Sequence, residues 1–255
     1  GKKFWDDEYR LNALIAKYPK PYIAFMQGFT MGGGVGISCH GSHRIVCETS
    51  KIAMPECSIG LVPDVGGSLL LARAPSNLGY YLGITGMQMD AADAIYAGFA
   101  DCYIPKNEWS YVIENLEKSG DSSIIHKYLK DPGESQLSKS AKFFEAAFKS
   151  KKLSKIVKFL FKSENPLAHL ASQKIKKNCP IAMTYTLEML SRLTPTSKIE
   201  DALDLEYRFT SRAQEYGSFQ EGIRAVIIDK DRKPKWKFKI DGVPKEIIDE
   251  FFKPV

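Results

Sequence analysis

Long apolar runs are missing from this chain of 255 residues. Its apolar runs fall far short of the roughly 20 residues that a helix needs to cross a bilayer, so no transmembrane segment is expected. No positively charged, then apolar, then small-residue leader opens the chain, so no secretory signal is expected either. The chain starts at Gly1 rather than Met, on an apparent helix from Lys3 to Leu11, and a natural start further upstream is expected. Cysteines are few and unpaired: Cys39, Cys47, Cys57, Cys102 and Cys179 contain no C-x-x-C. The histidines His40, His43, His126 and His169 never fall at ligand spacing with them. No metal site is expected, and the odd cysteine count suits a reducing compartment.

Two glycine-based nucleotide signatures are also lacking. A phosphate loop would need Gly28-x-x-x-x-Gly33 followed by Lys and then Ser or Thr, but Gly34 and Val35 follow instead. No G-x-G-x-x-G occurs in the same stretch. Gly36-Ile37-Ser38-Cys39-His40 approaches a serine-hydrolase elbow, yet His40 stands where the second glycine belongs. Ser38 is therefore read as a small packing residue.

What is present is an ordinary globular composition, 44% hydrophobic and 26% charged, with a net charge of +6. Basic residues gather between Lys149 and Lys177 and between Lys230 and Lys239. They read as a solvated helix face and a polar tail, or as an attraction for a polyanionic small molecule. Aromatic residues do not interleave with them, so no nucleic acid is expected as a partner.

The first hundred residues alternate strand and helix. Pro21 to Gly28, His43 to Cys47, Lys51 to Met54 and Asp101 to Ile104 read as strands. Gly32 to His40, Val65 to Arg73, Asn77 to Ile84 and Asp90 to Ala97 read as helices, the last capped by Asp90. From Trp109 onward all the periodic segments are helical, up to Ile199 to Tyr216 and Phe219 to Ile228. The loop around Asp131-Pro132-Gly133 is the expected boundary, dividing residues 1–130 from 131–255. The fold class is α/β with a helical C-terminal region.

One stretch carries chemistry. An apolar strand runs into Gln27-Gly28-Phe29-Thr30-Met31-Gly32-Gly33-Gly34-Val35-Gly36, a glycine cluster that opens a helix. Spacing alone leaves a tightly packed turn and an oxyanion site equally open. Glu56, after Met54-Pro55, is either a partly desolvated base or nucleophile or a strand-end glutamate reaching water. Asp64, between Pro63 and Val65-Gly66-Gly67, is either its partner or a helix N-cap.

At these residues the chain resembles the enoyl-CoA hydratase/isomerase (crotonase) superfamily, and within it the 3-hydroxyisobutyryl-CoA hydrolases. The resemblance rests on Glu8-Tyr9, Lys20-Pro21-Tyr22, Thr30 to Gly36, Ala53-Met54-Pro55-Glu56, Gly60 to Gly67 and Leu78 to Gly86. Phe219 to Ala225, Ile228 to Asp231 and Pro234-Lys235-Trp236 extend it to the far end. It implies a crotonase-like core of repeated ββα units, incomplete at the N-terminus, followed by a helical region.

The resemblance further implies that the Gly33 N–H binds the thioester oxyanion, with Gly32 beside it. Glu56 would be the nucleophile or the base for water, Asp64 the proton carrier or hydroxyl anchor, and Glu8 a substrate contact. Hydratases of the family carry a second glutamate where this chain has Gly36, which argues against water addition to a double bond. The implied substrate is an acyl-CoA, hydrolysed in valine breakdown, with no cofactor beyond the CoA it carries. Homo-oligomers, and a cytoplasmic location in a bacterium or the mitochondrial matrix in a eukaryote, are implied too. A hydratase/isomerase and a non-catalytic CoA-binding subunit remain alternatives. Nothing here matches the family's N-terminal strands and the loop that supplies the second oxyanion N–H. Losing one such donor typically costs roughly a hundred- to thousand-fold in rate, so these residues alone are expected to be nearly inactive.

Overall fold

The computed structural model describes residues 1–216 and 218–255. Helix α1 (Lys2–Ala16) comes first, then strands β1 (Ile23–Met26) and β2 (Phe29–Met31) and helix α2 (Gly33–Ser38). Strands β3 (His43–Val46) and β4 (Lys51–Ala53), helices α3 (Gly67–Arg73), α4 (Leu78–Thr85) and α5 (Ala91–Tyr96), strand β5 (Cys102–Tyr103) and helix α6 (Trp109–Ser119) follow. All strand pairs are parallel, in two sheets ordered β1-β3-β5 and β2-β4. Successive strands therefore go to alternate sheets before a helix returns the chain, which is the ββα repeat. The repeat lives in the topology and leaves no trace of internal sequence similarity.

The strands expected at Pro21 to Gly28, His43 to Cys47, Lys51 to Met54 and Asp101 to Ile104 are all present in shorter form. The expected direct passage from strand to helix is corrected by β2. After Met26 the chain turns at Gly28, whose φ is +60°, and Phe29–Met31 pairs with Lys51–Ala53 in the second sheet. Three residues are too few to show a period, so this strand had no sequence signal of its own.

Burial of both faces explains why the strands of the first sheet read as continuous apolar runs. Ala24, Met26, Val46 and Tyr103 face the main core, with Val35, Met54, Leu71, Tyr81, Tyr185 and Phe209. Ile23, Phe25, Ile45, Cys47, Cys102 and Ile104 face a second cluster with Trp109, Val112 and Ile125. Alternate residues thus point to opposite sides, as a pleated strand requires.

After residue 103 the described residues contain no further strand. The helices Pro180–Arg192 and Ile199–Thr210 pack on α4, α3 and α1, and Phe144, Tyr185 and Phe209 share the core with Met26 and Val35. Residues on both sides of Asp131 thus belong to one apolar cluster. Asp90 caps α5 as expected, its side chain accepting from the Asp93 N–H at 2.9 Å.

Candidate active site

Helix α1 buries Trp5, Tyr9, Asn12 and Ile15, a spacing of three to four residues that places one face on the protein. That face lies over the glycine cluster and the two loops that follow β4. Glu56 opens a short 3-10 turn (Glu56–Ile59), and Asp64 stands three residues ahead of α3. Both acids are 5% exposed, so the alternative of a strand-end glutamate reaching water is excluded for Glu56.

Gly32 has φ +53°, a backbone region that favours glycine. A Cβ there would lie 3.1 Å from Glu56 Oε1, and a Cβ on Gly33 would lie 3.2 Å from Glu8 Oε1. Gly32 and Gly33 therefore lie against Glu56 and Glu8. Gly33 is the exposed first residue of α2, where the backbone N–H has no partner within the helix. Glu56 Oε2 is buried and has no hydrogen-bond partner in the chain.

Asp64 is not a helix N-cap, which corrects that alternative. Helix α3 begins at Gly67 with Gly66 as its cap residue. The Asp64 carboxylate instead accepts from the Tyr9 hydroxyl at 2.9 Å, and that hydroxyl lies 3.3 Å from Thr210 Oγ1. Between Asp64 and α3 the chain passes through two left-handed residues, Val65 at φ +55° and Gly66 at φ +78°. For β-branched Val65 this is an outlier, of the kind that costs about 1–3 kcal/mol and gathers at functional sites.

A third buried acid escaped the sequence reading. Glu206, on the helix Ile199–Thr210, is fully buried. Its Oε2 accepts from Gly66 N–H at 2.8 Å; its Oε1 accepts from Ser68 N–H at 3.1 Å and from the Ser68 hydroxyl. In sequence it is one of several acids on an amphipathic helix and carries no motif.

These acids share a dry space with no cation bonded to them among the described residues. Burial pushes the Glu56 carboxyl well above the usual carboxylate range, and the charge of Asp64 adds to it. Burial does the same to Asp64, helped by Glu206 and opposed by the Tyr9 hydrogen bond. Glu206 is raised to about 7 by burial, against the pull of its Ser68 and Gly66 donors. Burial also raises Glu8. An acid so placed can act as base, nucleophile or proton carrier near neutral pH.

Gly36 has no room for a side chain: a Cβ there would lie 2.7 Å from both Asn12 Nδ2 and Val65 Cβ. Asn12 is fully buried, and neither of its amide atoms finds a partner in the chain. No further acid can therefore enter from α2 at this position. A separate cavity of about 430 Å³ adjoins His40, Arg44, Arg73 and Lys198. Its acids Asp101 and Glu200 are paired with Arg44 and Lys17 respectively. Among the described residues no three His, Cys, Asp or Glu side chains group as a metal-binding set, and no helix is long and apolar enough to cross a membrane.

Comparison with known proteins agrees with this geometry. A family model described as enoyl-CoA hydratase/isomerase matches residues 1–252. The mitochondrial 3-hydroxyisobutyryl-CoA hydrolase of Gallus gallus is 32% identical over 266 residues, covering 100% of this chain and 69% of its own length. The human protein of that name is 33% identical, over 98% of this chain and 68% of its own. A crystal structure described as an enoyl-CoA hydratase from Rhodobacter sphaeroides superposes with a TM-score of 0.94 at 48% identity, covering all of this chain and 74% of that one. A structure described as a carnitinyl-CoA dehydratase from Mycobacterium thermoresistibile gives the same TM-score, 0.94, at 37% identity and the same coverage.

Proposed function

Because the chain belongs to the enoyl-CoA hydratase/isomerase family, we propose that it is a thioester hydrolase that cleaves 3-hydroxyisobutyryl-CoA to 3-hydroxyisobutyrate and CoA, a step of valine breakdown. The observation that carries this reading is buried Glu56 beside Gly32, with buried Asp64 close enough for its charge to act on Glu56 and with Gly36 closed to a further acid. Adding water across a double bond in this family uses a second glutamate at the Gly36 position. Hydrolysis of a thioester does not need it. The names of the curated relatives support the same choice.

In this reading the thioester oxygen accepts from the Gly33 N–H, which stabilises the negative charge that develops there. The Glu56 carboxylate attacks the carbonyl carbon, or takes a proton from the water that does. Either way the C–S bond breaks and CoA leaves as the thiol; where Glu56 attacked, water then hydrolyses the mixed anhydride, releasing 3-hydroxyisobutyrate and freeing Glu56. Asp64, held by Tyr9, supplies that proton or binds the 3-hydroxyl. Glu8 contacts the substrate beside Gly33. The reaction needs no metal or redox group, CoA being part of the substrate. The relatives carrying the hydrolase name are mitochondrial, and the mitochondrial matrix is the compartment proposed for a eukaryotic source. Assembly into homo-oligomers through the helical C-terminal region is proposed with it.

The test is thiol release from 3-hydroxyisobutyryl-CoA by the full-length protein and by Glu56→Gln. Removing a general base of this kind is expected to lower kcat by roughly 10²- to 10⁴-fold. Equal rates for the two proteins would remove Glu56 from the reaction. The 48% identical Rhodobacter sphaeroides structure, described as an enoyl-CoA hydratase, favours a second reading, an enoyl-CoA hydratase. Loss of absorbance from crotonyl-CoA without thiol release would select it. Tight CoA binding with neither reaction would select a non-catalytic subunit.

A further inference from the structure

We infer that Glu206 is a positioning residue of this site, holding the left-handed Val65–Gly66 turn so that Asp64 is presented beside Glu56. The inference rests on the hydrolase reading for the role of Asp64, but its geometry stands apart from the substrate.

The turn needs an external hold. Val65 is β-branched and sits at φ +55°, with Gly66 at φ +78° directly after it. Such a pair persists only where its surroundings fix it. Two side chains from distant parts of the chain do so. From one direction the His40 Nε2–H donates to the Val65 carbonyl at 2.8 Å. From the other, Glu206 reaches across 140 residues of sequence to accept from the Gly66 N–H, and takes two further donors from Ser68. These backbone donors stand at the start of α3, whose first N–H groups have no partners in their own helix. Glu206 thus supplies from another helix the cap that Asp64 does not supply. That leaves the Asp64 carboxylate free for the Tyr9 hydroxyl.

Only a carboxylate meets this demand. All three groups aimed at Glu206 are donors, divided between its two oxygens. A glutamine placed there must turn its NH₂ toward either the Gly66 or the Ser68 backbone N–H, so one of them loses its acceptor in either orientation. The same helix carries Thr210, one turn beyond Glu206, against the Tyr9 hydroxyl. One helix face therefore supports both the loop that carries Asp64 and the tyrosine that holds its carboxylate.

The experiment compares full-length wild type with Glu206→Gln and Glu206→Asp, using 3-hydroxyisobutyryl-CoA, melting temperature and crystal structures. Displacing a reacting group by about an ångström costs roughly 100-fold, so Glu206→Gln is expected to lower kcat by about that factor with KM within about twofold. In its crystal structure Val65 should leave the left-handed region and Asp64 should part from Tyr9. Glu206→Asp keeps the acceptors but shortens their reach, and is expected to lose kcat to an intermediate degree at unchanged KM. It also serves as the working variant should Glu206→Gln fail to fold. Unchanged kcat in a folded variant, or a turn and an Asp64–Tyr9 bond left as in wild type, overturns the inference. Wild type that releases no thiol defeats the hydrolase reading instead, and the crystal structures still decide the role of Glu206.

Discussion

At the scale of single residues, the site sets activity and stability against one another along the pH axis. Glu56, Asp64 and Glu206 each hold a proton more tightly folded than unfolded, because burial penalises their charge. Below their ordinary values near 4 both states are protonated and the stability they contribute is complete. As pH rises, the unfolded chain ionises freely while the folded chain resists, and stability is lost until pH passes the folded value, about 7 for Glu206. On the acid side the half-buried Glu221, pulled down to about 2 by Arg224, acts in the opposite sense. The urea midpoint is therefore expected to peak near pH 4–5 and decline toward pH 7.5, with a shallower decline in Glu206→Gln. Over that same rise kcat should increase, since the proposed hydrolysis uses Glu56 as a carboxylate. A urea midpoint that climbs steadily from pH 5 to 7.5 would contradict the burial of these acids.

At the scale of elements, the contact between α1 and α2 decides which chemistry the glycine cluster can host. Asn12 and Val65 occupy the space beside Gly36. Gly36→Glu, the substitution that would restore a hydratase-like pair, is thus expected to destabilise by about 1–3 kcal/mol or more through overpacking. It should bring no hydration of crotonyl-CoA. Denaturant titration and the absorbance assay check the two halves. Most of these elements were legible beforehand. The spacing of apolar residues predicted α6 and the longer later helices such as Pro180–Arg192 and Ile199–Thr210, because an amphipathic period is written into ten or more positions. Boundaries were less legible. The helix expected from Val65 starts at Gly67, since the strained pair before it is set by His40 and Glu206, which no local pattern reveals. The helix expected over Ile199 to Tyr216 ends at Thr210, and the one expected to run to Ile228 widens at Arg224. There Arg224 is gathered by Glu221, Asp229 and Asp231.

At the scale of the whole molecule, Glu8, Gly33, Glu56 and Asp64 could be read from sequence because they sit in an ordered set of short motifs. Tyr9 was visible only as a neighbour of Glu8, and Glu206 was not visible at all. Both act across 55 residues or more, one on Asp64 directly and the other on the turn after it. Contacts of that range depend on how the helices dock, a property of the tertiary packing that no window of sequence contains. The alternate placement of strands in two sheets was equally hidden, since each strand is too short to show which sheet it joins.

The reach of α1 across the molecule has a kinetic meaning as well. Trp5 lies 5.9 Å from Phe219, ring to ring, so its surroundings are complete only when the two ends of the chain have met. Trp109 lies 5.1 Å from Phe25, within a cluster assembled from residues 23 to 128. Chains of this size fold through intermediates, and closures between distant segments come late. On refolding from urea, with the other tryptophans replaced by phenylalanine, Trp109 fluorescence should recover before that of Trp5. The return of Tyr9 to Asp64 should keep time with Trp5. The active site would then be the last part of the molecule to exist, and catalysis a report that folding has finished.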